Sequence, residues 1–154
     1  MNKKINFYEV RETNRENFRD LLLLGDEDSL EVNKYINNGQ LFAAEIESRV
    51  VAIALVMKLN QHTLELKNIA VLPEYQKLGI GRKMISFIEN FAIKETTEFV
   101  VGTGDADIQN ILFYLRNGFR FDKIKIFFLR IIKKRFYRMV SLPKRYGHVE
   151  KGNN

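Results

Sequence analysis

The sequence predicts a mixed α/β fold, an α+β arrangement of helices on one mixed sheet. Three observations carry this. The apolar period switches between two and 3.6 along the chain, in the order β-α-α-β-β-β-α-β-α-β-β. The 154 residues contain no repeat, linker or low-complexity segment, so one domain over 1–154 is expected. Apolar residues are 45% and charged residues 29%, a globular balance in which a single core suffices without staples.

Residues 5–10 are short and rich in strand formers. Thr13 with Glu16 forms a capping box, and Phe18, Leu21 and Leu22 follow at helical spacing until Gly25, expected to take a left-handed stop. Asp28 and Glu31 repeat the pattern for a second helix carrying Leu30, Val32, Tyr35 and Ile36, ended at Gly39. Residues 40–47 and 50–59 are β-rich around a turn near Ser48-Arg49, and Asn60-Gln61-His62 turns the chain into a strand over 63–71. After Pro73, a glycine-punctuated segment opens a helix with Met84, Ile85, Ile88, Phe91 and Ala92 on its apolar stripe. Phe99-Val100-Val101 is a strand. Asp105 or Asp107 caps a helix to Arg116, with Ile108, Ile111, Leu112 and Leu115 inside and Gly118 as its stop. Residues 119–128 and 136–142 suit two last strands, with 129–135 a basic join. The alternative there is a basic amphipathic helix with Ile124, Phe127, Phe128 and Ile131 on one face.

Charge is uneven. Residues 1–115 carry thirteen Lys and Arg against seventeen Asp and Glu, whereas 116–154 carry twelve against two. Residues 123–154 are therefore a basic end, set apart from the mildly acidic body. Cysteine is absent, which removes disulfides, thiolate metal sites and any thiol nucleophile; no metal is expected. The longest apolar run, 50–57, is too short to span a bilayer, and no signal-peptide pattern opens the chain, so a cytoplasmic location is expected. His62 falls in a turn and His148 in the tail, and both are assigned to the surface.

Gln76-Lys77-Leu78-Gly79-Ile80-Gly81 lies between a strand and a helix. That arrangement aims several backbone N–H groups, with the positive end of the helix dipole, at one spot suited to phosphate oxygens. The nucleotide-triphosphate loop is excluded because no Ser or Thr follows Lys83, and the dinucleotide fingerprint because Met84 stands where a third glycine or alanine is needed. A glycine pair that merely shapes a turn is the alternative. Together with the preceding Asn68-Ile69-Ala70-Val71-Leu72-Pro73 and the Arg82 that follows, the segment resembles the acetyl-CoA motif of the GNAT superfamily of N-acetyltransferases. Leu112-Phe113-Tyr114-Leu115-Arg116-Asn117-Gly118-Phe119 is similar to that family's second signature. The resemblance extends over residues 1 to about 122. The run Leu21 to Leu24 and Val101-Gly102-Thr103-Gly104 resemble a bacterial branch of the family.

The resemblance implies a GNAT-like fold and acetyl-CoA as cosubstrate. It implies that Ile69, Ala70 and Val71 present backbone groups to the pantetheine arm and acetyl carbonyl. Gln76, Lys77, Leu78, Gly79, Ile80, Gly81 and Arg82 would wrap the pyrophosphate, and Tyr114 would serve the departing sulfur. Many relatives hold the cofactor with an asparagine where Asp107 stands here; Asn110, one turn before Tyr114, is the substitute. A helix tyrosine that is simply core is the alternative for Tyr114.

Without cysteine, direct transfer to an amine is expected, and Glu65 is the candidate base. Period two puts it on the face of Ile69 and Val71; a solvent-facing strand glutamate is the alternative. The resemblance also implies that the loop between the first two helices borders the acceptor pocket; here that loop, Gly25-Asp26-Glu27-Asp28 followed by Glu31, would suit a cationic acceptor, a small amine or a peptide, though capping duties explain it equally. Nucleic acid is disfavoured as a partner, no membrane association is expected, and a homodimer is left open. The rival function is a non-catalytic module of the same fold that binds nucleic acid or a protein through its basic end.

Overall fold

A computed structural model describes residues 3–11, 14–92, 96–104, 107–129 and 132–141. Thr13, Asp105, Ile131, Leu142, His148 and the side chain of Ala92 lie outside the described set. Strand β1 (Asn6–Val10) leads through a 3₁₀ turn (Arg15–Phe18) into α1 (Arg19–Gly25) and α2 (Ser29–Tyr35). Strands β2 (Gln40–Ile46), β3 (Arg49–Lys58) and β4 (Thr63–Val71) follow, then α3 (Ile80–Ala92), β5 (Glu98–Gly104), α4 (Ile108–Arg116), β6 (Arg120–Leu129) and β7 (Ile132–Ser141). One seven-stranded sheet runs β1-β2-β3-β4-β5-β7-β6, antiparallel throughout except for the parallel pair β4 and β5.

Helices cover both faces, so β2 and β3 bury alternate residues on opposite sides. Leu41, Ala43, Ile53 and Leu55 pack against Leu22, Val32, Tyr35 and Ile36 of α1 and α2. Phe42, Ala52, Ala54 and Val56 pack against Ile80, Met84, Ile85 and Ile88 of α3 and Tyr114 of α4. Phe87, off the expected stripe, stacks on Phe7 at 5.7 Å and on Phe91 at 5.8 Å, while Phe91 itself stays 41% exposed at the rim.

Several expectations are corrected. The first helix opens as a 3₁₀ turn after Asn14, whose side chain makes no capping bond, and Glu16 pairs with Arg19 at 2.6 Å instead of reaching back to the backbone. Gly25 is not a left-handed stop. It ends α1 pressed onto β4, where an added Cβ would lie 2.1 Å from Asn68 Oδ1. Left-handed stops do occur at Gly39 (φ 65°) and Gly118 (φ 88°). The β2–β3 turn sits one residue early, with Glu47 and Ser48 both at positive φ, as a two-residue hairpin needs. Ile108 and Leu112 are 64% and 37% exposed, because α4 buries the Ile111, Tyr114 and Leu115 side. Of the two readings for the basic end, the strand holds and the alternative helix does not over 124–129: β6 and β7 pair from Arg120↔Val140 to Leu129↔Ile132 with a register shift between Phe121 and Lys123, and the basic join over 132–135 is strand.

Candidate active site

Near its middle β4 gains an extra residue. Leu55 of β3 pairs with Asn68, yet Val56 pairs with Leu66, so Lys67 is bulged out. A bulge shifts the strand's phase by one. Leu64 and Leu66 therefore share the α3 face with Ile69 and Val71, while Asn68 and Ala70 turn toward α1 and α2. This corrects the placement of Glu65. Counted through the bulge it lies on the face opposite Ile69 and Val71, and it is not among the residues lining the cleft described next.

Beyond the bulge the sheet forks. β4 stays paired with β3 as far as Val71↔Ala52, but its parallel pairing with β5 stops at Leu66↔Val101. β5 continues along β7 to Gly104↔Phe136. The facing edges of β4 over 67–71 and β5 over 102–104 are thus unpaired inside a sheet, and such edges can accept an extended amide chain as a β partner. A cleft of about 1010 Å³ opens there, lined by Ile69, Ala70, Val71, Gly102, Thr103 and Tyr114 among others.

At the α3 end of this cleft the chain makes a 3₁₀ turn (Pro73–Tyr75) and then a left-handed excursion, with Lys77 at φ 61° and Gly79 at φ 80°. Gln76 Nε2 donates to the Val71 carbonyl at 3.0 Å, bracing the turn against the end of β4. Among the described residues, the backbone N–H groups of 77–82 make no close, well-aligned hydrogen bond; the first bond of α3 runs from Lys83 N–H to the Gly79 carbonyl at 3.1 Å. Orphan donors at the N-terminus of a 13-residue helix are an arrangement that can hold an anion. Gly81 lets α4 approach: an added Cβ would meet Phe113 Cζ at 3.1 Å. Gln76, Lys77, Gly79, Ile80, Gly81 and Arg82 line the cleft; the Leu78 side chain is 63% exposed and does not, leaving its N–H as the group it offers.

Tyr114 comes from α4, wedged between Phe113 (5.2 Å) and Phe119 (5.5 Å), and is 6% exposed. Burial, with a smaller push from the Asp107 carboxylate, holds its hydroxyl well above the usual phenol range. It makes no hydrogen bond to the described residues, so a protonated donor stands free at the cleft. Asp107 caps α4, accepting from Asn110 N–H at 3.1 Å, and its second oxygen takes Asn110 Nδ2 at 2.6 Å. That bond occupies part of the Asn110 amide and leaves its carbonyl oxygen.

Asn68 was missed by sequence reasoning, as were Leu24 and Thr103, all on the cleft. The signal for Asn68 was a lone amide in the apolar phase Leu64, Leu66, Ala70. The acidic loop is spent mostly on structure: Asp28 caps α2, Asp26 accepts from Tyr35, and Glu31 pairs with Lys34 at 2.5 Å, leaving Glu27 on the cleft.

Residues 37–121 match the family model described as an acetyltransferase (GNAT) domain. A Bacillus subtilis protein described as the uncharacterized N-acetyltransferase YvbK is 31% identical over 124 residues, covering 79% of this chain and 80% of its own. Among solved structures, a GNAT family acetyltransferase from Elizabethkingia anophelis with acetyl-CoA bound superposes with a TM-score of 0.78 at 22% identity, over 90% of this chain and 97% of that one. A Bacillus subtilis acetyltransferase in complex with CoA gives 0.73 at 25% identity, over 90% and 99%.

Proposed function

The chain belongs to the GNAT family and is an acetyl-CoA-dependent acetyltransferase, and from that premise we propose that it acetylates a primary amine, small and cationic or peptidyl, by direct transfer. The observation that carries the reading is the fork between β4 and β5 ending at an amide-lined turn. The N–H groups of 77–82 bind the pyrophosphate, with Lys77 and Arg82 adding charge, and the free edge at Ile69 to Val71 pairs with the amide-bearing arm. Acetyl-CoA supplies an activated thioester carbonyl.

In the reaction the amine nitrogen bonds to that carbonyl carbon, the carbon–sulfur bond breaks, and the sulfur leaves with the electron pair. Tyr114 donates a hydrogen bond to the sulfur as charge gathers there. The ammonium gives one proton to a base before attack, and the proton the nitrogen sheds as the amide forms ends on the departing thiolate. A lysine-like amine, pKa ~10.4, costs about 4–5 kcal/mol to deprotonate at pH 7, whereas an α-amine near 8 costs about 1–1.5 kcal/mol. Glu65, on the α1 and α2 side and paired with Val100 one step below the fork, takes that proton through water. Glu27 on the cleft wall is the competing carboxylate.

Glu65→Gln is expected to lower kcat/KM for a lysine-like amine about 10–10²-fold at pH 7. The deficit should shrink as pH rises toward 10, where the amine sheds its own proton. pH profiles of Glu65→Gln and Glu27→Gln separate the two carboxylates; a Glu65→Gln profile that overlays the parent's removes Glu65 as base. The function itself is tested by calorimetry with acetyl-CoA followed by thiol release across an amine panel. Binding without thiol release from any amine contradicts it.

A further inference from the structure

Asn68 joins three elements. Its Nδ2 donates to the Leu22 carbonyl of α1 at 2.7 Å and to the Tyr35 hydroxyl of α2 at 2.9 Å. The Tyr35 hydroxyl donates in turn to Asp26 Oδ2 at 3.0 Å, and Asp26 Oδ1 accepts the Asp28 N–H at 3.1 Å. Directions in this chain are fixed by chemistry. The Leu22 carbonyl only accepts, so the NH₂ side of the amide must face it; Tyr35 then receives from Asn68, and its one proton goes to Asp26. Asn68 is 4% exposed, and its Oδ1 is left without a hydrogen-bond partner, facing the Gly25 Cα. Only glycine permits that approach.

The phosphate cradle does not need this chain of bonds, which lies on the opposite face of the sheet from α3. It fixes the end of α1 and the connection to α2, and Leu24 and Gly25 of α1 with Glu27 of that connection line the same cleft as Ile69 and Tyr114. Leu24 is 50% exposed, and Glu27 forms no ion pair with the described residues, so an apolar and an anionic side chain are offered from this wall. The phosphate end enters from the α3 side, which leaves the α1 side for the second substrate.

We infer that Asn68 and Tyr35 are positioning residues for the acceptor amine: they clamp the α1–α2 connection onto β4 so that Leu24 and Glu27 meet the acceptor at the fork. This inference rests on the acetyl-transfer reading of the cleft. Tyr35→Phe isolates it, since the ring and its contact with the Lys67 ammonium (5.5 Å) survive and only the hydroxyl is lost.

The variant should raise the acceptor KM about five- to tenfold, the worth of one hydrogen bond, with the acetyl-CoA KM unchanged within about twofold. Amide hydrogen exchange over 25–28 should quicken while that of α3 stays constant. Asp26→Asn alone, which leaves the Tyr35 hydroxyl in place and still offers it an acceptor, should keep the acceptor KM close to the parent's. An acceptor KM equal to the parent's, or an acetyl-CoA KM that rises in step with it, overturns the clamp. If the parent turns over no amine, the acetyl-transfer reading fails first, and exchange over 25–28 decides the clamp alone: unchanged protection in Tyr35→Phe overturns it.

Discussion

Tyr114→Phe is expected to lower kcat about 10²-fold while leaving the acetyl-CoA dissociation constant within about twofold of the parent's. The ring keeps its packing against Phe113 and Phe119, and the lost hydroxyl breaks no hydrogen bond to the described residues, so stability should hold. What disappears is a donor aimed at charge that develops only as the carbon–sulfur bond breaks. Such an interaction acts on the transition state and leaves ground-state binding alone. A thiol titrates near 8.5, below a phenol raised by burial, so Tyr114 stabilises the leaving sulfur by hydrogen bonding and remains protonated through neutral pH. The sign follows: because burial favours the protonated phenol, ionisation of Tyr114 should cause no alkaline fall in parent activity below about pH 10. Stopped-flow turnover beside calorimetry checks both halves. A kcat equal to the parent's leaves Tyr114 as core alone.

Gly79→Val should weaken acetyl-CoA binding about 10–10²-fold, with kcat at saturation far less affected. An added Cβ at Gly79 meets nothing within 4 Å, so crowding is not the reason. The reason is φ at 80°, a left-handed conformation that costs a β-branched residue roughly 1–3 kcal/mol. Relief of that strain turns the peptide units beside residue 79, and the cradle loses the common aim of its N–H groups. Gly81→Ala is the contrast. Its methyl presses on the ring edge of Phe113, a flexible side chain able to shift by tenths of an ångström, and the loss of affinity should be smaller. Calorimetry on both variants measures the difference; parent-like affinity in Gly79→Val would mean the turn tolerates the strain without moving its amides.

Much of this site was legible because it is built from backbone. A strand, two glycines and a helix dictate where N–H groups point, and residues 63–71, 79–81 and 80–92 give that away without side-chain detail. Gly118 was readable for the same reason. The bulge at Lys67 was not. Neither glycine nor proline marks it, and it is enforced by β3 pairing and by the helices on both faces, so an uninterrupted count of two put Glu65 on the wrong side. Gly25 misled in a related way: its local sequence fits a left-handed stop, whereas its actual reason is the Asn68 side chain 43 residues later in the chain. The last two strands were expected, but the start of β7 was obscured by composition. Lys133, Lys134 and Arg135 look like a loop until Phe128, Phe127 and Ile126 of β6 pair with them. Ile108 and Leu112 look like core until α4 is seen to turn Tyr114 inward.

The central claim is that the free amides of 77–82 and the open edges of β4 and β5 receive acetyl-CoA. Amide NMR of the ¹⁵N-labelled protein during titration with acetyl-CoA tests it most directly. The account predicts that the largest shifts fall on the amides of Lys77, Leu78, Gly79, Ile80, Gly81 and Arg82, followed by those of residues 68–71 and 102–104. Saturable binding that leaves these resonances in place, with the shifts elsewhere on the molecule, would contradict it.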